Sequence, residues 1–146
     1  MFTAWSPDDI WLLNPQTGET KPFLKSAYNR PELEEGSRAR GWFRDLCVTP
    51  DGQYLFYVCQ PGCPTTWSVR RVNTDGTDDR WISWGHDVDI IGVDPDDPLY
   101  GCVVIERPAT DKPKDETVIC TPDGTVRKTV TIPIEDFWSR HQPVPR

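Results

Sequence analysis

Apolar residues fall in short runs that alternate with polar positions and are closed by turn formers, the pattern of half-buried strands. Arg44-Asp45-Leu46-Cys47-Val48 leads through Thr49-Pro50-Asp51-Gly52-Gln53 into Tyr54-Leu55-Phe56-Tyr57-Val58. Asp89-Ile90-Ile91-Gly92-Val93 leads through Asp94-Pro95-Asp96-Asp97-Pro98 into Leu99-Tyr100-Gly101-Cys102-Val103, with Pro95 lying 45 residues after Pro50. A second unit follows each hairpin. Ser68 to Asn73 turns at Asp75-Gly76 into Arg80-Trp81-Ile82-Ser83, and Glu116 to Cys120 turns at Asp123-Gly124 into Lys128-Thr129-Val130-Thr131. The two Asp-Gly turns are 48 residues apart. Glycine reaches positive φ without steric cost, so Asp-Gly between two strand-like runs predicts a hairpin.

The periodicity predicts repeated four-stranded antiparallel units, with strands A to D in each. The N-terminal segment carries only the later part of one: Phe2-Thr3-Ala4-Trp5, then Ile10 to Leu13, then Lys21 to Leu24 after Gly18. In this alignment Phe23 falls on Trp81 and Leu24 on Ile82, so Trp81 is expected to pack between neighbouring units. Eleven strands result, and the tail 133–146 is the expected place for a twelfth. The unit boundaries fall near 1–25, 42–84 and 88–132. The fifteen prolines leave no window for a long helix, which reinforces an all-β reading.

Composition narrows the function classes. A net charge of −7 repels phosphate backbones and makes nucleic acid a poor partner. No apolar run is long enough to cross a membrane, and Met1 to Asp9 does not read as a secretory signal. The five cysteines, an odd number, sit mostly in apolar runs, which points to a reducing, cytoplasmic setting. No G-x-S-x-G, Walker A, Rossmann, H-E-x-x-H or paired C-x2-C motif is present.

Val48-Thr49-Pro50-Asp51-Gly52-Gln53-Tyr54-Leu55 followed by Arg71-Val72-Asn73-Thr74-Asp75-Gly76-Thr77 resembles the blade repeat of TolB-type β-propellers. The resemblance is strongest in the second unit and partial in the first; the third has Asp97 where the turn glycine belongs. It implies blades around a central channel. Three blades are too few to close a ring, so the expectation is a six-bladed homodimer in which each tail supplies strand A of the partner's first blade. The alternative is an open array with covered ends, or a piece of a larger propeller.

On this reading the tight turns 49–53, 74–77, 94–98 and 122–125 share one face. The longer connections 25–41, 60–66, 83–87 and 106–115 share the other, where a ligand is expected. The candidate ligand-binding residues are Trp42, Arg44, Trp84, His86, Asp87, Asp89 and His141. Trp42 and Trp84 offer aromatic faces; Asp87 or Asp89 stands ready to orient His86 or to share a metal with it; His86 and His141 could converge from two subunits. Read against an ordinary solvated turn, none of these requires a metal, and no cofactor, metal or catalytic residue is expected. The C-x3-C at Cys59 and Cys63 fits two thiols in a turn or a local disulfide. Asn73 to Asp79 fits a hairpin rather than a calcium loop, because Arg71 occupies the first ligand position. Glu32 to Glu35, with Arg38 and Arg40, fits a solvated loop or a dimer contact. The functional expectation is a non-enzymatic binding or scaffold protein for a small polar molecule, a glycan or a peptide. The alternative is a propeller enzyme of polysaccharide-lyase or hydrolase-like type.

Overall fold

The computed structural model of the chain describes residues 2–4, 9–26, 41–60 and 67–146. Trp5, the 32–35 segment with Arg38 and Arg40, and the Cys63 half of C-x3-C lie outside these residues.

The described chain is all-β apart from one short helix, and its strands form three antiparallel meanders. Sheet 1 contains β1 (Phe2–Ala4), β2 (Ile10–Leu13) and β3 (Thr20–Leu24). Sheet 2 contains β4 (Gly41–Val48), β5 (Tyr54–Gln60), β6 (Ser68–Asn73) and β7 (Arg80–Trp84). Sheet 3 contains β8 (Asp87–Ile90), β9 (Val103–Pro108), β10 (Asp115–Cys120) and β11 (Val126–Thr129). Helix α1 (Ile134–Arg140) follows.

Side-chain alternation along single strands stacks these sheets face to face. On β5, Leu55, Tyr57 and Cys59 join Ile10 of sheet 1 in one buried cluster. Their neighbours Phe56 and Val58 join Val88, Ile90, Val103, Ile105, Val118 and Cys120 of sheet 3 in another. On β9 and β10 the intervening residues Val104 and Ile119 face the other way, into a third cluster with Phe137 of α1. The order of layers is therefore sheet 1, sheet 2, sheet 3, helix. The first strands β1, β4 and β8 are neighbours at one side of the stack.

The turns explain the repeat. Gly52, Gly76 and Gly124 adopt φ of 73°, 91° and 93°. In each case the preceding aspartate accepts the backbone N–H two residues on: Gln53 to Asp51 at 3.0 Å, Thr77 to Asp75 at 2.9 Å and Thr125 to Asp123 at 3.0 Å. A threonine hydroxyl also donates to each of these carboxylates, from Thr49, Thr77 and Thr121 respectively. The third unit's first connection departs from the pattern as its sequence demands. Asp97 is not a glycine, and the chain makes a longer excursion that ends at Gly101 with φ 78°, whose N–H donates to the Ile91 carbonyl at 2.7 Å.

Two expectations are corrected. The first concerns the tail. Residues 134–140 form α1 rather than a strand. Pro133 opens the helix, Glu135 and Asp136 suit its first turn, and Arg140 suits its last. Ile134, Phe137, Trp138 and His141 recur at helical spacing, and Phe137 is buried against sheet 3. Beyond the helix the chain returns to β8 of its own sheet, where the Val144 N–H donates to the Ile90 carbonyl at 2.7 Å and Pro143 bridges Ile91. The second concerns Trp81, which is 45% exposed. The extra residues at the β2–β3 and β6–β7 bulges are Phe23 and Ile82. Phe23 lies beside Gly76 of the next sheet, and Ile82 beside Gly124 of the next. Both sheets carry the same bulge, but Ile82 lies six residues after Gly76 whereas Phe23 lies five after Gly18, and Asp78, at φ 57°, sits in the longer stretch; Ile82 therefore takes the inter-sheet position and Trp81 turns outward.

Phe137→Ala should cost about 3–5 kcal/mol, the range for truncating a buried aromatic, read by urea denaturation. The turn aspartates titrate low because threonine hydroxyls and backbone N–H groups bind their ionised form; Asp123 is held down to about 2 by Thr121 first and then by Thr125. A depressed folded-state value means that the contribution is present above the ordinary carboxylate value and is lost as pH falls through the folded one. Carboxyl NMR should therefore place the Asp123 midpoint near 2, and Thr121→Val should return it toward the ordinary range.

Candidate functional site

Three expected residues come together at the junction of sheets 2 and 3. Gly85 makes the junction possible. A Cβ there would lie 2.7 Å from Ile105 Cγ2 and 3.0 Å from Val69 Cγ2, so only glycine lets the β7–β8 link lie flat on both sheets. Its N–H donates to the Trp67 carbonyl at 3.1 Å, and the His86 N–H donates to the Glu106 carbonyl at 3.0 Å. Trp84 and His86 are thereby fixed on either side of Gly85. With Trp67, Pro108, Ala109 and Thr110 they line a cleft of about 410 Å³. Arg44 stands next to it, its guanidinium 4.0 Å from the Trp67 ring centroid and one amino group donating to the His86 carbonyl. Trp81 meets Trp84 edge to face at 5.7 Å. All the cleft residues sit on the longer connections or at the strand ends beside them.

The remaining candidates are elsewhere. Trp42 is exposed at a bulge of β4, with φ 55°, and is not among the cleft's lining residues. Asp87 and Asp89 do not orient His86. They meet Arg146 instead, together with Asp45, which a second β4 bulge places at φ 53°. Arg146 donates to Asp45 at 2.7 Å, to Asp87 at 3.1 Å, to Asp89 at 2.8 Å and to the Val88 carbonyl at 3.0 Å. Burial pushes the Asp89 and Asp45 carboxyls up, and Arg146 offsets part of that rise. Burial works against the Arg146 charge, yet its bonds to Asp89 and Asp87 hold its own value above the ordinary one.

His141 has a structural role at the other end of β8. Its Nδ1 lies 2.7 Å from Asp97 Oδ2 and its ring 4.7 Å from that of Phe137. It ties α1 to the β8–β9 connection and, within this chain, does not approach His86.

The carboxylates that reach His86 are ones the sequence analysis did not single out. Nε2 lies 3.5 Å from Glu106 Oε1 and 3.6 Å from Asp115 Oδ2. Glu106 is on β9 and Asp115 begins β10, so their convergence depends on the β9–β10 register, which pairs Glu106 with Thr117 and Asp115 with Pro108.

Removing the Arg146 guanidinium should matter most at neutral pH. Asp45 and Asp89 titrate above their ordinary value, so their ionised forms oppose folding, and that opposition fades as pH falls through the raised values. Arg146→Ala should cost about 1–2 kcal/mol at pH 7, low for charge-assisted bonds because the side chain is partly exposed. Denaturation across pH should show the deficit shrinking toward the carboxylate range.

Comparison with protein-family models, with curated proteins and with solved structures returns no match, so the likeness of the repeat to TolB-type blades stands on the residues alone.

Proposed function

We propose that this chain is a non-enzymatic binding protein of β-propeller type. Its three sheets act as blades, and its ligand, a neutral sugar ring of a glycan, seats in the cleft between sheets 2 and 3. The observation that carries this reading is the lining of the cleft: two tryptophans, Trp67 and Trp84, with His86, Pro108 and Thr110 around about 410 Å³. The volume suits a small ligand, and the lining is mainly apolar with a few polar groups, as in ordinary ligand pockets. A sugar ring offers C–H faces to an indole and hydroxyls to His86 and Thr110. The chain's net charge of −7 disfavours an anionic ligand.

The blade reading draws on sheets stacked face to face with their first strands side by side. Helix α1 covers the face of sheet 3 that a further blade would need, which favours an open, capped array over a paired ring. In solution the expected mass is that of one chain, 16.7 kDa; twice that mass would favour the ring.

Titration with neutral mono- and oligosaccharides, followed by tryptophan fluorescence, tests the ligand class. Saturable binding that weakens at least about tenfold in Trp84→Ala is expected, the loss of about 1.4 kcal/mol of contact. Binding that survives Trp84→Ala unchanged, or no saccharide binding at all, would count against the cleft as a sugar site.

A further inference from the structure

The side of sheet 3 that faces α1 carries carboxylates short of cations. Asp87 and Glu106 are direct cross-strand partners on β8 and β9. Asp115 is diagonal to Glu106, two residues from its partner Thr117. Like charges set opposite one another on a sheet repel. Arg146 answers Asp87, and on the opposite face Arg107 answers Glu116 at 2.9 Å. Among the described residues, His86 is the only basic group within ion-pair range of Glu106 or Asp115.

The spacing of this trio is not that of a hydrogen-bonded pair. A charge-assisted N–H···O bond brings its heavy atoms to about 2.7–2.9 Å, whereas His86 Nε2 stands 3.5 and 3.6 Å from the two carboxylate oxygens. All three donor atoms lie within 4.8 Å of one another. A tetrahedral ion with bonds of about 2.0–2.1 Å holds its ligands about 3.4 Å apart. The two His86–carboxylate separations are close to the edges of such a tetrahedron.

We propose that His86 Nε2 and the carboxylates of Glu106 and Asp115 form a three-ligand site for a zinc-type divalent cation, leaving a coordination position open at the rim of the cleft. The imidazole nitrogen selects against Ca²⁺ and Mg²⁺, which prefer oxygen ligands. The scaffold is set in advance. The His86 backbone is held by the Glu106 carbonyl on one side and Arg44 on the other, and the two carboxylates stand on hydrogen-bonded strands. The site rests on these three side chains and not on the sugar reading, so it is tested without saccharide.

The experiment is titration of chelator-treated full-length chain with Co²⁺, followed by visible absorption, and then displacement by Zn²⁺. One ion per chain is expected, with a spectrum of nitrogen and oxygen ligands. His86→Ala and Glu106→Gln should each weaken binding by at least about tenfold, since losing even an outer-shell partner costs that much. Both side chains are at least partly exposed, and metal-free melting curves are expected to coincide with that of the parent chain; Asp115→Asn provides a third variant if one does not. Unchanged affinity in the folded variants, a thiolate charge-transfer band from cysteine ligation, or no Co²⁺ uptake at millimolar metal would each overturn the site.

Discussion

Two-sided burial of the middle strands is the constraint on which the rest of the structure depends. A sheet surface covered on one face satisfies half of its apolar residues. β5 has five consecutive buried residues, Leu55 to Cys59, and period-two alternation sends them to opposite faces. Sheet 2 must therefore have a sheet on each side. Sheet 3 inherits the same demand through Val104 and Ile119, and there the chain meets it with a helix. The tail is thus part of the core, and its return along β8 also covers a strand edge that would otherwise be open to pairing.

The site follows from where the layers meet. Sheets 2 and 3 share a buried face, and the link between them has to pass closely over Val69 and Ile105, which Gly85 permits. The flanking residues Trp84 and His86 then project at the seam with little freedom in their backbone. The carboxylates near this seam have basic neighbours: Arg146 among Asp45, Asp87 and Asp89, and His86 between Glu106 and Asp115. The Arg146 cluster also fastens β4 to β8, adding an electrostatic clasp to the apolar one beneath it.

Much of the strand order was legible because its signals are local. Asp-Gly and Pro-Asp turns are fixed by Asx bonds and by positive φ at Gly52, Gly76 and Gly124, and these need no tertiary context. The helix has its own local signal in the spacing of Ile134, Phe137, Trp138 and His141, but the density of prolines masks it. Bulges were not legible. One more residue between Gly76 and Ile82 than between Gly18 and Phe23 exchanged the roles of Trp81 and Ile82, and the second bulge of β4 turned Asp45 toward Arg146, more than a hundred positions away in the sequence. Arg44, Trp84 and His86 were found because aromatic and basic residues in a link between strands are conspicuous. Pro108 to Thr110 belong to a connection on the expected face and Trp67 follows another, yet only the stacking of the sheets joins them to the site. Glu106 and Asp115 look like ordinary surface carboxylates until the β9–β10 register sets them side by side.

Methyl–methyl and methyl–aromatic NOEs from β5 test the two-sided core most directly. The Leu55 methyls should show cross-peaks to Ile10 of sheet 1, and the Val58 methyls to Val88 or Ile105 of sheet 3. Cross-peaks from both residues to the same sheet, or to neither, would contradict the layered account.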